Sequence, residues 1–365
     1  MLNIEKNLYQ NRKVILMASA ALVIYTLIGG LLIPLKSGLV GSSPTKIQTG
    51  RLDTLEFVWY NPDSQFKPEA IYLKKDNRFF RSKRISFKNE EFNTLAEYDI
   101  TIGGQSSGYA DAYLRGFYGE AKKPVWMYLS NAVWLEKGLS DSMSNHISTD
   151  LIAGTEIIDN IQFGFPNRVV LNESIRNLLY HVPMWFSMIF LLFMASFYAV
   201  RYLRYGLLRD DLLSMSFTKV GIVIGILGCV TGAAWARVTW RSWWPVDDPK
   251  LNGVAIGMFM YFAYLILRNS MRDPYQRARI SSVYNVLVFP IFMALIAIMP
   301  KLADNSLHPG TAGTVGFNKY DLDNTLRLFF YPAIIGWIGI FSFIALLRFR
   351  LSRLELKKLE VENDE

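Results

Sequence analysis

The sequence predicts a polytopic α-helical membrane protein with six transmembrane helices, interrupted after the first by an outer-side, β-rich domain of immunoglobulin-like sandwich type. Three observations carry this fold class. Six charge-free apolar runs approach or reach the roughly 20 residues a helix needs to cross the hydrocarbon core. Basic residues cluster in alternate connections between those runs. Between the first two runs lies a long stretch of short alternating segments separated by turn residues. The composition agrees, with 51% hydrophobic and 14% aromatic residues among 365.

The apolar runs are Val14–Leu35, Val182–Val200, Val220–Ala236, Leu251–Leu267, Ile280–Pro300 and Leu328–Leu347. The first is too long for the apolar region of a cleaved signal, and no small-x-small site follows it closely, so it reads as a retained signal-anchor. Residues 1–36 are then an N-terminal tail and span one. Lys6, Arg12 and Lys13 precede span one, and Arg201, Arg204, Arg209 and Lys219 follow span two. Arg268, Arg272, Arg277 and Arg279 follow span four, and Arg348, Arg350, Arg353, Lys357 and Lys358 follow span six. Six spans put these four segments on one side, and the positive-inside rule makes that side cytoplasmic, both termini included. The expected location is a bacterial inner membrane. The net charge of +8 is thereby a topology signal. Nucleic-acid binding is disfavoured, because the basic residues are split among short loops and form no basic domain. As drawn, no span carries an interior charge or belongs to a Gly/Pro-broken pair, which disfavours a permease subunit.

The outer side receives three segments: 37–178, 237–250 and 301–327. Residues 37–161 read as the β-rich periplasmic domain. Its candidate strands are Leu55–Tyr60, Ala70–Leu73, Tyr98–Ile102 and Val125–Leu129, with turn signals such as Asn61-Pro62-Asp63-Ser64 between them. Its one histidine, His146, reads as a solvated loop residue. Residues 162–180 hold an interfacial helix, with Ile175, Leu178 and Leu179 on one face of the run beginning at Asn172. Residues 181–350 carry spans two to six, and 351–365 form a cytoplasmic tail. The single cysteine, Cys229, lies inside span three. It excludes a disulfide framework and a thiol pair for redox exchange, and the chain has no C-x-x-C-H haem attachment motif.

Four of the nine tryptophans, Trp235, Trp240, Trp243 and Trp244, fall within ten residues in the segment 235–250, followed by Asp247 and Asp248. Broad rigid rings bury area at low side-chain entropy cost, so a flat aromatic shelf at a membrane surface suits a large planar ligand. The competing reading is an aromatic belt at the bilayer interface. His181 opens span two and His308 lies in the last outer loop. The topology puts both on the tryptophan side, where two imidazoles can supply axial ligands to a haem iron. Arg237 and Arg241 bracket Trp240 and suit the two propionates, or else snorkel to outer headgroups. Asp247 and Asp248 are placed to cap span four.

At these residues the chain resembles the CcmC family of cytochrome c biogenesis, with its six spans and outer tryptophan-rich "WWD" loop between spans three and four. The Trp-x4-Trp-x2-Trp-Trp spacing falls on Trp235, Trp240, Trp243 and Trp244, and the motif aspartate on Asp247, with Asp248 as the register alternative. His181-Val182-Pro183 matches the family's entry to span two, and His308-Pro309 approximates its last loop. The resemblance covers about 175–350 and span one. Three departures stand out: Val246 replaces a further tryptophan, Arg241 replaces a glycine, and the β domain replaces a short loop. The resemblance implies a haem-delivery factor rather than a turnover enzyme. Haem b would be held at the outer face with His181 and His308 on the iron, then passed to a CcmE-like periplasmic chaperone with transporter subunits of an ATP-driven complex as partners. Membrane lipids are the remaining partner. The alternatives are a CcsA-type synthase component, which attaches haem to the apocytochrome directly and typically has more spans, and a membrane-anchored scaffold whose β domain docks partners.

Overall fold

The computed structural model describes residues 12–35, 38–48, 52–60, 66–75, 78–81, 84–90, 93–101, 107–118, 124–136, 165, 172–302, 322 and 324–364. His146 and His308 lie outside the described residues, as do the turn at 61–64 and most of 149–171. The chain divides into two compact units, one of Met1–Leu32 with Arg176–Glu365 and one of Ile33–Ile175.

Among the described residues, the helical unit contains six helices long and apolar enough to cross a membrane. They are α1 (Arg12–Leu32), α2 (His181–Tyr205), α3 (Leu208–Trp240), α4 (Pro249–Asn269), α5 (Pro274–Met293) and α7 (Asn324–Asp364). A π-helical turn, Ala294–Ile298, and a short α6, Met299–Leu302, continue α5. Helices α2 to α5 and α7 run past their apolar runs, because charged residues at their ends are compatible with helix, whereas α1 stops at Leu32, three residues short of the end of its run. Only Gly206 and Leu207 join α2 to α3, and Gly206 supplies the left-handed φ of +67° that turns the chain. Arg201, Arg204 and Arg209 therefore sit on helix ends rather than in a loop.

Small residues set the helix packing. Gly221, Gly225, Gly228 and Gly232 line one side of α3, three or four apart, where side chains of α2 approach the backbone. A Cβ at Gly221 would come within 2.9 Å of Leu192, and one at Gly225 within 2.8 Å of the Met188 sulfur. Gly336 and Gly339 of α7 likewise admit Ser19 and Val23 of α1. The packed centre includes Met188, Leu191 and Leu192 of α2, Phe217 and Ile224 of α3, Met258 and Tyr261 of α4, and Phe292 of α5.

One sequence expectation is corrected in this unit. Charges do enter the packed ends of the spans. Arg268, in the last turn of α4, donates through both guanidinium arms to Asp211 in the first turn of α3, at 2.7 and 2.6 Å, and both residues are buried. Further in, Asn285 of α5 donates to Ser214 and Thr218 of α3 at 3.1 and 2.9 Å. The apolar-run criterion stops at the first charge, so it truncated α3 and α4 before these residues. Such a buried pair fixes helix register more than it stabilises, because desolvation offsets most of the Coulombic gain.

The second unit is strand-rich. It contains β1 (Gly38–Ser43), β2 (Lys46–Gln48), β3 (Leu52–Tyr60), β4 (Phe66–Lys75), β5 (Arg78–Arg81), β6 (Arg84–Glu90), β7 (Asn93–Thr101), β8 (Gly108–Tyr118) and β9 (Val125–Glu136). The strands form a four-stranded sheet ordered β1-β3-β7-β6 and a five-stranded sheet ordered β2-β9-β8-β4-β5. All pairings are antiparallel except β2 with β9. Strand alternation sends Ile71 and Leu73 of β4 into a core shared with Leu55 and Phe57 of β3. It turns Tyr72 into a separate layer with Phe79, Tyr113 and Trp126. Arg81 lies over the Tyr72 ring and Arg115 over Trp126. Burial among these groups, with Asp111 beside it, pushes the Tyr113 hydroxyl up to about 12.

The segment Asn172–Leu179, expected as an interfacial helix, is a single run of 3₁₀-helix leading into α2. Ile175 and Leu179 are its buried residues, and Leu178 is half-buried. Its Arg176 donates to the Gly30 carbonyl at the end of α1, at 2.5 Å.

Candidate functional site

His181 is the first residue of α2, so its ring lies where the helix emerges from the packed region. Both of its ring nitrogens make polar contacts. Its Nδ1 lies 3.0 Å from the Thr231 hydroxyl oxygen on α3, and its Nε2 accepts a 3.0 Å hydrogen bond from the Trp185 indole N–H one turn along α2. The rings of His181 and Trp185 meet edge to face with centroids 5.9 Å apart. Glycines make the room for both. A Cβ on Gly232 would come 2.6 Å from His181 Cε1, and one on Gly228 would come 3.2 Å from the Trp185 ring. Neither pocket survives an ordinary side chain unless the ring moves.

The Trp185 indole N–H only donates, so Nε2 carries the imidazole lone pair and Nδ1 the proton. Toward His181 the Thr231 hydroxyl then accepts, and its single proton is shared between the carbonyls of Leu227 and Gly228, at 2.9 and 3.1 Å. Thr231, Gly228, Gly232 and Trp185 were not singled out by sequence reasoning. The glycine spacing along span three and the four-residue separation of His181 from Trp185 were the available signals.

The tryptophan cluster divides between a helix and a loop. Trp235 and Trp240 lie on the last turns of α3, which extends to Trp240, and their rings meet edge to face at 5.0 Å. Trp235 is one turn beyond Thr231 on the same helix face, a rise of about 6 Å. It thus stands at the level next above the His181 contact. Trp243 is 62% exposed and Trp244 half-buried in the connection between α3 and α4. Val246, where a further tryptophan was expected, is also exposed.

The charged residues separate by role. Asp248 is 2% exposed and caps α4, accepting from the backbone N–H groups of Lys250 and Leu251 at 2.9 and 3.1 Å. Asp247 is exposed. Arg241 ends α3 with φ of +58°, the left-handed conformation that a glycine adopts without steric cost. Its carbonyl accepts from the Arg237 guanidinium at 2.5 Å, and both arginine side chains are exposed. The structure thus brings His181 together with Thr231, Trp185 and Gly232, and places Trp235 and Trp240 nearby on α3. His308 lies outside the described residues, so its relation to His181 is not described. Among the described residues no group of three or more His, Cys, Asp and Glu could hold a free metal ion.

A family model described as "Heme exporter protein C" matches residues 149–363. The chain is 27% identical over 140 residues to heme exporter protein C of Paracoccus denitrificans, covering 38% of this chain and 55% of that protein. It is 25% identical over 160 residues to the Haemophilus influenzae protein of the same name, covering 43% of this chain and 62% of the relative. A shorter match, 43% identical over 60 residues, is to cytochrome c biogenesis protein CcsA of Prochlorococcus marinus, covering 16% of this chain and 19% of that protein. The chain therefore spans roughly half to two thirds of the length of these two heme exporter relatives. The family model covers more than half of the chain, spans two to six included, and on that ground the chain belongs to the CcmC, or heme exporter protein C, family.

Proposed function

We propose that this protein binds haem b at the outer membrane face and hands it to a periplasmic, CcmE-like chaperone during cytochrome c maturation. The observation that carries the reading is His181, with its Nε2 lone pair set by Thr231 in a glycine-made niche on the α3 face that leads to Trp235. An axial imidazole needs that arrangement: the second nitrogen donates to a fixed acceptor, which sets tautomer and ring orientation. The residues fit the group. Trp243 offers an exposed ring for stacking, Trp244 a half-buried one, and Arg237 and Arg241 stand ready for carboxylates. His308 would be the other residue holding the iron in this reading. When bound, haem supplies the iron and porphyrin reactivity, and the protein supplies binding, orientation and electrostatics without turnover.

The strand order supports an immunoglobulin-like sandwich, since β1-β3-β7-β6 follows the A-B-E-D sheet and β9-β8-β4 the G-F-C sheet. In this reading residues 37–161 stand in the periplasm as a docking domain, with both chain termini cytoplasmic. The aromatic and cationic layer of Tyr72, Trp126, Arg81 and Arg115 suits a protein partner. Transporter subunits of the maturation complex are the further partners.

The test is replacement of His181 and of His308 by glycine in the purified full chain, with absorption spectra before and after added imidazole. Haem content falls in each variant, and imidazole restores the bands by filling the glycine space. Wild-type haem content and bands in both variants would refute the ligand assignment and favour the scaffold alternative.

A further inference from the structure

We propose that Trp185 is a built-in competitor for the His181 lone pair, one that protects the imidazole between cargoes and weakens its grip so that cargo is released. This rests on the reading of His181 as an iron ligand. The nitrogen that Thr231 leaves unprotonated is Nε2, and it is this nitrogen that the Trp185 N–H occupies at 3.0 Å. No other tautomer satisfies the Trp185 contact, because an indole N–H only donates, and Thr231 then accepts from Nδ1–H. A lone pair engaged by a donor is withdrawn from any Lewis acid, so Trp185 must break its hydrogen bond before Nε2 can bind a metal.

Local construction favours this exchange. His181 and Trp185 are four residues apart on one helix, so the bond needs no tertiary rearrangement to form or break. The Trp185 ring lies against Gly228, where the missing side chain leaves backbone as its only neighbour on that residue. One turn further in, the sulfurs of Met188 and Met258 crowd Gly225, a deformable surface beside the ring's niche. Thr231 is a positioning residue here. It acts through His181 and makes Nε2 the nitrogen presented.

A carrier must let go of what it carries. An internal donor of ordinary strength lowers the affinity for a competing ligand by about fivefold, the factor that one net hydrogen bond amounts to. That is enough to bias release without abolishing binding.

The experiment uses the full chain in lipid nanodiscs with ferric haem as the probe. Trp185→Phe keeps a ring in the Gly228 niche and removes only the donor. The expected result is about fivefold tighter haem binding with correspondingly slower release to an excess of apomyoglobin. Unchanged or weaker binding would overturn the competitor role. In the haem-free protein, ¹⁵N spectra of labelled histidine, with His181→Gly identifying the signal, report the tautomer directly. Wild type and Trp185→Phe show His181 protonated at Nδ1, and Thr231→Val combined with Trp185→Phe shows a mixture. An Nδ1–H tautomer that persists in that double variant would remove Thr231 from the device. If His181→Gly keeps wild-type haem affinity and spectrum, the ligand reading falls and the competitor falls with it. If that variant loses haem while Trp185→Phe behaves as wild type, only the competitor falls.

Discussion

The two adjacent aspartates show how one residue of register separates a structural role from a chemical one. Asp248 is buried and capping α4, so its carboxylate is committed to the helix. Asp247 is exposed, so in the haem-binding proposal it is the aspartate offered to a ligand. Replacing Asp248 by alanine should cost about 1 kcal/mol of helix stability, seen as a lower midpoint of thermal unfolding in detergent. Replacing Asp247 by alanine should leave that midpoint unchanged and reduce retained haem. The reverse pattern would exchange the two roles. Arg241 carries a related lesson. Relatives are expected to have glycine there, and the backbone does adopt the left-handed conformation glycine prefers. The arginine is held in it at a cost of about 1 kcal/mol.

Helix α3 is the element on which the site is built. Its glycines bring α2 close, its Thr231 orients His181, and its last turns carry Trp235 and Trp240. The glycines are not equivalent. A methyl at Gly221 would meet the end of the Leu192 side chain, which can shift. A methyl at Gly232 would meet the His181 ring at 2.6 Å, and that ring is tethered at both nitrogens. Gly221→Ala is therefore expected to change haem affinity less than twofold, whereas Gly232→Ala should lower it at least tenfold by displacing the imidazole, the loss of roughly 1.4 kcal/mol or more. Haem titration of the two variants compares them directly. Equal effects would show that the niche tolerates movement and that Gly232 serves packing alone.

The whole molecule divides into a strand-rich and a helical unit. The β unit has its own core of Leu55, Phe57, Ile71, Leu73 and Val133, as expected of a part that folds on its own account. If it docks a partner, excising about 40–160 and joining span one to the segment near Asn172 with a flexible linker should leave haem content and spectrum unchanged. Transfer to the chaperone should slow. Loss of haem from a stably inserted truncate would show instead that the β unit helps to build the site.

The sequence by itself determined the helix count, the β-rich insertion and the family, because each rests on local periodicity or on residue types at short spacing. Six apolar runs need only counting, and Trp235, Trp240, Trp243 and Trp244 declare themselves by density. Helix ends were less legible. Lys219 and Arg268 end apolar runs in the sequence, yet α3 extends back past Lys219 to Leu208, and Arg268 of α4 pairs there with Asp211. Tertiary structure alone decided which aspartate caps a helix, and that Thr231 and Trp185 divide the two nitrogens of His181 between them. The physical reason is distance along the chain. His181 and Thr231 are 50 residues apart and meet only because glycines let two helices approach at that level. A close approach of this kind depends on the packing of both helices at once, so the glycine spacing of α3 marks a face that can be approached and not which residue meets it.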